Sequence, residues 1–304
     1  MTALGWGRRF LVCRPLHFTV AYEINPYMHV QVHPDPAVAL AEHDGLVRTL
    51  GAAGAEVEFL DPVPGLPDLV FTANAGVVDG GDFVPSRFRH PERQGETAHD
   101  TAWFAARGYR VRSLPGDEPF EGAGDVLPFG AGPGSGRPPV LVAGYRTRSA
   151  VGAQTNLGTL LGVPVRTVEL VDERFYHVDL VFCPLDEKRA LVAPQGLDRY
   201  GCRVLEELVP EPVWLTDEEA ASFCANSVVV GDVIVMPWCT PRLGRILEAG
   251  GLSVAVSPVG EFLKAGGGCR CLTLALDVDL SGVGRAAADP VGPSVDQGLV
   301  HELP

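Results

Sequence analysis

The phrase Phe71-Thr-Ala-Asn-Ala-Gly-Val-Val returns almost unchanged as Phe223-Cys-Ala-Asn-Ser-Val-Val-Val. Self-similarity at long range constrains a fold before any other property of the chain does. Two more phrases open on phenylalanine in the same register, FEGAGDVL from Phe120 and FYHVDLVF from Phe175. The successive intervals from Phe71 through Phe120 and Phe175 to Phe223 are 49, 55 and 48 residues. A fifth phrase, GGGCRCLTLAL, begins 45 residues later at Gly268 when Cys271 is set level with Asn74 and Asn226. The spacing predicts five units of about fifty residues.

Most phrases lead through a short turn into a second β-rich run, as in GVVDGGDFVPS, LVFCPLDEKRALVAP and SVVVGDVIVMP. Asp-Gly-Gly, Asp-Glu-Lys and Gly-Asp between β-branched runs are hairpin signals. Amphipathic helices are expected at 37–53, 96–107, 198–209 and 241–250, each near a short apolar strand such as EVEFL, YRVRSL, VPVRTVEL or SVAVSP. Hairpin, helix and strand make a ββαβ module, and repetition around a ring is the architecture this predicts. The competing arrangement is an ordinary α/β sandwich. A single catalytic domain is expected over residues 1–280; the Gly/Pro-rich segment 130–139 reads as a loop and 281–304 as a flexible tail.

Composition excludes several classes of partner. A chain of 304 residues with 46% hydrophobic and 20% charged residues has enough apolar surface for a large core. Its 38 acidic against 24 basic residues give a formal charge of −14, which repels nucleic acid and anionic membrane surfaces. No apolar run is long enough for a signal peptide or a membrane span, so the expectation is a cytoplasmic protein. Seven cysteines, at 13, 183, 202, 224, 239, 269 and 271, form neither a secreted disulfide framework nor a paired CxxC zinc site.

If the five phrases are equivalent, their polar positions converge at the centre of the ring. Those positions hold Asn74, Glu121 and Asp125, His177 and Asp179, Asn226, and Cys271. A nucleophile, a histidine and carboxylates then meet in one place. On a strand His177 and Asp179 share a face. They suit either a buried structural pair or a catalytic one. Glu121 reads as a turn carboxylate or a site residue, and GAG is a weak nucleotide-loop signal because no helix plainly follows it. Cys269 and Cys271 also alternate onto one face, so periodicity leaves the reactive one open; no second CxC or CxxC completes a metal site. The glycines before them suggest close backbone approach to a ligand.

PDLVFTANAG, SRFRHPERQGE, FEGAGD, FYHVD and KAGGGCRCLTL together resemble signatures of the guanidino-group-modifying superfamily. The resemblance runs from residue 11 to about 280 and is strongest to the arginine dihydrolases, whose N-terminal signature is similar to INPYM at 24–28. It implies a five-bladed α/β propeller, the pentein fold, with pseudo-fivefold symmetry. It implies that Cys271 is the nucleophile, that His177 is the general acid/base, and that Glu121 and Asp179 bind the guanidinium. Arg93 and Arg148 match positions for the substrate carboxylate, Asn25 is expected to cap the site, and Asp125 to bind substrate or support its turn. The substrate implied is a small guanidino compound; no metal or cofactor is expected, and the oligomeric state is open.

The chemistry fits these residue types. Guanidinium donors form a planar fork that carboxylates match, and a cation beside Cys271 favours its thiolate. Deiminases and dimethylargininases place aspartate where this chain has Asn74. An amide can donate to a ureido oxygen that a carboxylate would repel. The expectation is a dihydrolase that converts arginine to ornithine, CO2 and two ammonia. The alternatives are a dimethylargininase or deiminase that stops at citrulline, an amidinotransferase, and a non-catalytic ribosome-binding factor, the last disfavoured by the acidic charge.

Overall fold

The computed structural model describes residues 4–130 and 138–281, and its strands pair into five three-stranded sheets among them. β1 (Arg9–Cys13) and β2 (Glu56–Leu60) run parallel, joined by the helix Pro36–Ala52. The following sheets repeat one order. β3 (Gly76–Asp79) and β4 (Asp82–Pro85) form a hairpin, and the helix Glu96–Ala106 crosses to the parallel strand β5 (Arg110–Val111). β6 (Val126–Phe129), β7 (Val140–Tyr145), the helix Val151–Leu161 and β8 (Val165–Glu169) do the same. So do β9 (Phe182–Pro184), β10 (Arg189–Val192), the helix Arg199–Leu208 and β11 (Glu211–Trp214). The last full repeat is β12 (Val228–Val230), β13 (Val233–Met236), the helix Pro241–Ala249 and β14 (Ser253–Val256).

The fifth phrase ends in β15 (Leu274–Ala275), whose hairpin partner is β1. One sheet is therefore assembled from both ends of the described chain, with Phe10 opposite Ala275 and Leu11 opposite Leu274. Turn chemistry sets the other registers. Gly80 and Gly231, at φ 57° and 62°, take the left-handed conformation a tight hairpin needs. In the β9–β10 turn, Asp186 Oδ1 instead accepts from the backbone N–H groups of Lys188 and Arg189.

Four crossover helices lie within a residue or two of the expected ranges, and three carry side-chain caps. Asp35 accepts from Ala37 and Val38, Asp198 from Gly201, and Thr240 from Leu243. The helix Val151–Leu161 was not among those expected: its VGAQTNLGTLL has two glycines and two threonines, all poor helix formers. Tertiary packing holds it, with Ala153, Leu157 and Leu161 buried at a spacing of four. One large apolar core runs between the sheets and helices, and a smaller cluster around Phe83, Phe104 and Trp103 backs β1 and β4. Among the described residues no helix is long and apolar enough to cross a membrane. Residues 131–137 of the expected loop, and the expected tail from 282 onward, lie outside the described residues.

Candidate active site

The polar phrase positions are on tight turns rather than on strands, which corrects the expected alternation. FTANAG makes a 3-10 turn at Thr72–Ala75 before β3 starts at Gly76, GAGD makes one helical turn at Gly122–Asp125, and FYHVD passes into a 3-10 turn at Val178–Leu180. The cause is hydrogen-bond supply: a paired strand uses its backbone groups in the ladder, whereas a turn leaves them for buried side chains. Asn74 Nδ2 donates to the Glu121 carbonyl at 3.4 Å, and Asn226 Nδ2 donates to the Asp179 carbonyl at 3.3 Å. Asp125 Oδ1 accepts from the Val178 N–H at 3.1 Å. The repeated asparagines thus tie their turns to those of an adjacent unit, Asn74 to the following one and Asn226 to the preceding one.

Cys271 is buried beside Asp179 and Asn226. Its Sγ donates to Asp179 Oδ2 at 3.4 Å and accepts from Asn226 Nδ2 at 3.1 Å, while its N–H and that of Arg270 both donate to Asn226 Oδ1. Burial, then the Asp179 charge, push the thiol well above its ordinary pKa. Burial also pushes Asp179 up to about 7 against the pull of Arg270. Cys269 faces a different partner: its Sγ turns to the Ser257 carbonyl at 3.5 Å. The glycines before it make close approaches to protein, and Gly267 also lines the cavity described below. A Cβ on Gly268 would fall 2.7 Å from Asn226 Oδ1, and one on Gly266 (φ 83°) would fall 2.6 Å from the Tyr176 hydroxyl.

Glu121 is fully buried and closely partnered. Its Oε2 faces His177 Nε2 at 2.9 Å and Arg148 Nη1 at 3.0 Å, and its Oε1 accepts from the Arg89 N–H at 3.2 Å. Although burial opposes its charge, Arg148 and His177 hold it below the usual carboxylate range. Burial lowers His177 to about 4 despite Glu121, so the imidazole is neutral at pH 7 and its Nε2–H donates to Glu121. Burial keeps Asp125 protonated well above its normal range.

Arg93 grips Glu96 through Nε (2.9 Å) and Nη2 (2.8 Å), and Nη1 donates to Asn74 Oδ1 at 2.8 Å. Arg148 donates to Glu121 and to the Ile24 carbonyl, over the Tyr176 ring, and its buried Nε has no partner among the described residues. Asn25 clamps the INPYM loop onto the Cys271 side by donating to the Ala265 carbonyl at 3.0 Å. A narrow cavity is lined by Asn74, Arg93, Arg148, His177, Cys271 and Asn25, among others. Glu121 and Asp179 stand one contact behind that lining, through His177 and Cys271. Sequence reading missed Asp68 and Tyr176, which also line the cavity. Asp68 Oδ1 is buried without a partner among the described residues, and burial raises its pKa. The signal for Asp68 was available, as an acid embedded in the apolar run PDLVF.

Fold and site together define a mixed α/β protein in which a cysteine, a histidine, a carboxylate and two arginines line one cavity, with Glu121 and Asp179 directly behind them. No family model matches the chain. Over 269 residues, 88% of this chain, it is 41% identical to the bifunctional arginine dihydrolase/ornithine cyclodeaminase AgrE of Nostoc sp., of whose length it spans 37%. It is 34% identical to the N(G),N(G)-dimethylarginine dimethylaminohydrolase of Mycobacterium tuberculosis, across 88% of this chain and 85% of that one. Its structure matches the N-terminal domain of ArgZ, an arginine dihydrolase, with a TM-score of 0.84 and 40% identity, over 90% of this chain and 99% of that one. That domain has been solved bound to substrate, bound to product and covalently bound to a reaction intermediate. The chain belongs to the guanidino-group-modifying superfamily, alongside arginine dihydrolases and dimethylarginine dimethylaminohydrolases.

Proposed function

We propose that the chain hydrolyses arginine twice at its guanidino carbon, through a covalent Cys271 amidino intermediate, to give ornithine, CO2 and two ammonia. The observation that carries this reading is the orientation of Asn74. Arginine has no acceptor, so the amide atom facing Arg93 is oxygen and the NH2 turns the other way. It turns toward Gly124 and His177: a Cβ on Gly124 would collide with Asn74 Nδ2 and lie 3.2 Å from His177 Nδ1. A donor at that place suits the oxygen of a ureido group and not the N–H groups of a guanidinium. The likeness to AgrE and ArgZ, both named arginine dihydrolases, supports the same conclusion.

The residues divide the work as follows. From directly behind the lining, Asp179, with one oxygen unpartnered among the described residues, and Glu121 supply the negative charge that holds the guanidinium. The arriving cation stabilises the Cys271 thiolate, whose proton passes to the neutral His177. Sulfur adds to the guanidino carbon, and the imidazolium gives its proton to the departing ammonia. His177 then takes a proton from water, whose oxygen displaces sulfur and leaves a ureido group. Asn74 donates to that oxygen while Cys271 adds again and the second ammonia leaves; water then displaces sulfur, and the carbamate so formed loses CO2 to give ornithine. Arg148, Arg93 and Asn25 orient the amino-acid end, and Asp125 supports the turn that carries His177.

The test is product analysis from arginine with purified protein: ornithine with two ammonia is expected, and citrulline as the end product overturns it. A dimethylargininase is the second reading, favoured by the Mycobacterium relative, and it would release methylamines from methylated arginines. The five sheets of one strand order, with three of the phrases reaching one cavity, support five blades of a pseudo-fivefold α/β propeller, and residues 1–280 as a single catalytic domain. Seven unpaired cysteines, two of them partly exposed, support a reducing, cytoplasmic location.

A further inference from the structure

Glu96, the first residue of the helix Glu96–Ala106, is buried and has no part in the chemistry described so far. It holds Arg93 at two points, Nε to Oε1 and Nη2 to Oε2, the planar fork geometry that fixes a guanidinium in rotation as well as position. The other Nη2 hydrogen goes to the Asp68 carbonyl at 3.2 Å. With Nη1 on Asn74, four of the five Arg93 N–H groups are engaged inside the protein, whereas Arg148 has two engaged. Arg93 therefore also acts as a strut between Glu96 and Asn74, with one N–H left for the substrate. An amide held only by its weak 3.4 Å bond to the Glu121 carbonyl would turn over readily.

We propose that Glu96 is a positioning residue for the second hydrolysis: through Arg93 it locks Asn74 Oδ1 outward, so that Asn74 Nδ2 stays toward the reacting group. This rests on the reading of Asn74 given above. Nothing in the first hydrolysis requires that NH2, so the effect falls on product partition rather than on arginine consumption alone.

The experiment measures ornithine and citrulline formed from arginine by the purified full chain, as wild type, Glu96→Gln, Asn74→Asp and the double variant. Glu96→Gln is expected to lower the ornithine-to-citrulline ratio about tenfold, because the glutamine keeps one acceptor and loses the charge. In the Asn74→Asp background there is no NH2 to misorient, and Glu96→Gln is expected to alter the ratio less than about twofold. The ratio is internal to each preparation, so partly folded protein reports it equally, and Glu96→Asp carries the same expectation in milder form. An unchanged ratio in Glu96→Gln, with Asn74→Asp still blocking ornithine, overturns the positioning role and leaves the Asn74 reading standing. If both Glu96 variants lose arginine consumption and ornithine formation in equal proportion, the role is likewise overturned. Ornithine yield indifferent to Asn74→Asp overturns the Asn74 reading itself, and this inference with it.

Discussion

Cys271 Sγ lies 3.4 Å from Asp179 Oδ2, and the thiol is the donor. Burial and the adjacent carboxylate both favour S–H over S⁻ at Cys271. Asp179→Asn removes the like charge and is expected to move the midpoint of Cys271 alkylation by iodoacetamide to lower pH. The same change removes a guanidinium ligand and should reduce kcat/KM for arginine about 10–100-fold. An alkylation profile that does not move refutes the electrostatic coupling of the pair.

Cys271 and Cys269 are both buried but make opposite contacts, one to Asp179 and Asn226 and the other to the Ser257 carbonyl. Cys271→Ser is expected to lower turnover on the order of 10⁴-fold and to abolish the covalent adduct in intact-protein mass spectrometry. Cys269→Ala should still form that adduct. An adduct retained in Cys271→Ser would assign the nucleophile elsewhere.

Asn74→Asp places an acceptor where the NH2 now points. Citrulline is expected to accumulate in place of ornithine, with the ratio shifted at least about tenfold. Quantifying both amino acids over a time course decides the matter, and an unchanged ornithine yield refutes the role.

His43 is buried on the helix Pro36–Ala52, and neither ring nitrogen has a hydrogen-bond partner among the described residues. Burial lowers its pKa from 6.5 to about 4. Between those values only the unfolded chain takes up the proton, so this residue costs stability progressively as pH falls from about 6.5 toward 4. His43→Leu is expected to raise Tm by about 2–6 °C at pH 7 and by more at pH 5. Thermal melts at the two pH values check it; a gain that shrinks on acidification contradicts the assignment.

The sequence by itself determined the number of units and most of their parts. Four helices, the hairpins after Gly76 and Val228, and the phrase positions of Asn74, Glu121, His177, Asp179 and Cys271 were legible because apolar periodicity and Gly/Asp turns are local properties. The helix Val151–Leu161 was not, since its composition opposes helix and only tertiary packing holds it. Nor was the pairing of β1 with β15, which joins strands more than 260 residues apart. The tertiary structure alone decided that the polar phrases are turns, because the hydrogen bonds that hold them come from the neighbouring unit, as when Asn226 reaches the Asp179 carbonyl. It alone showed that Cys271 and Cys269 face different partners, and it gave Asn74 its direction through Arg93. Which way a side-chain amide faces is set by partners distant in the chain, and no local pattern encodes that.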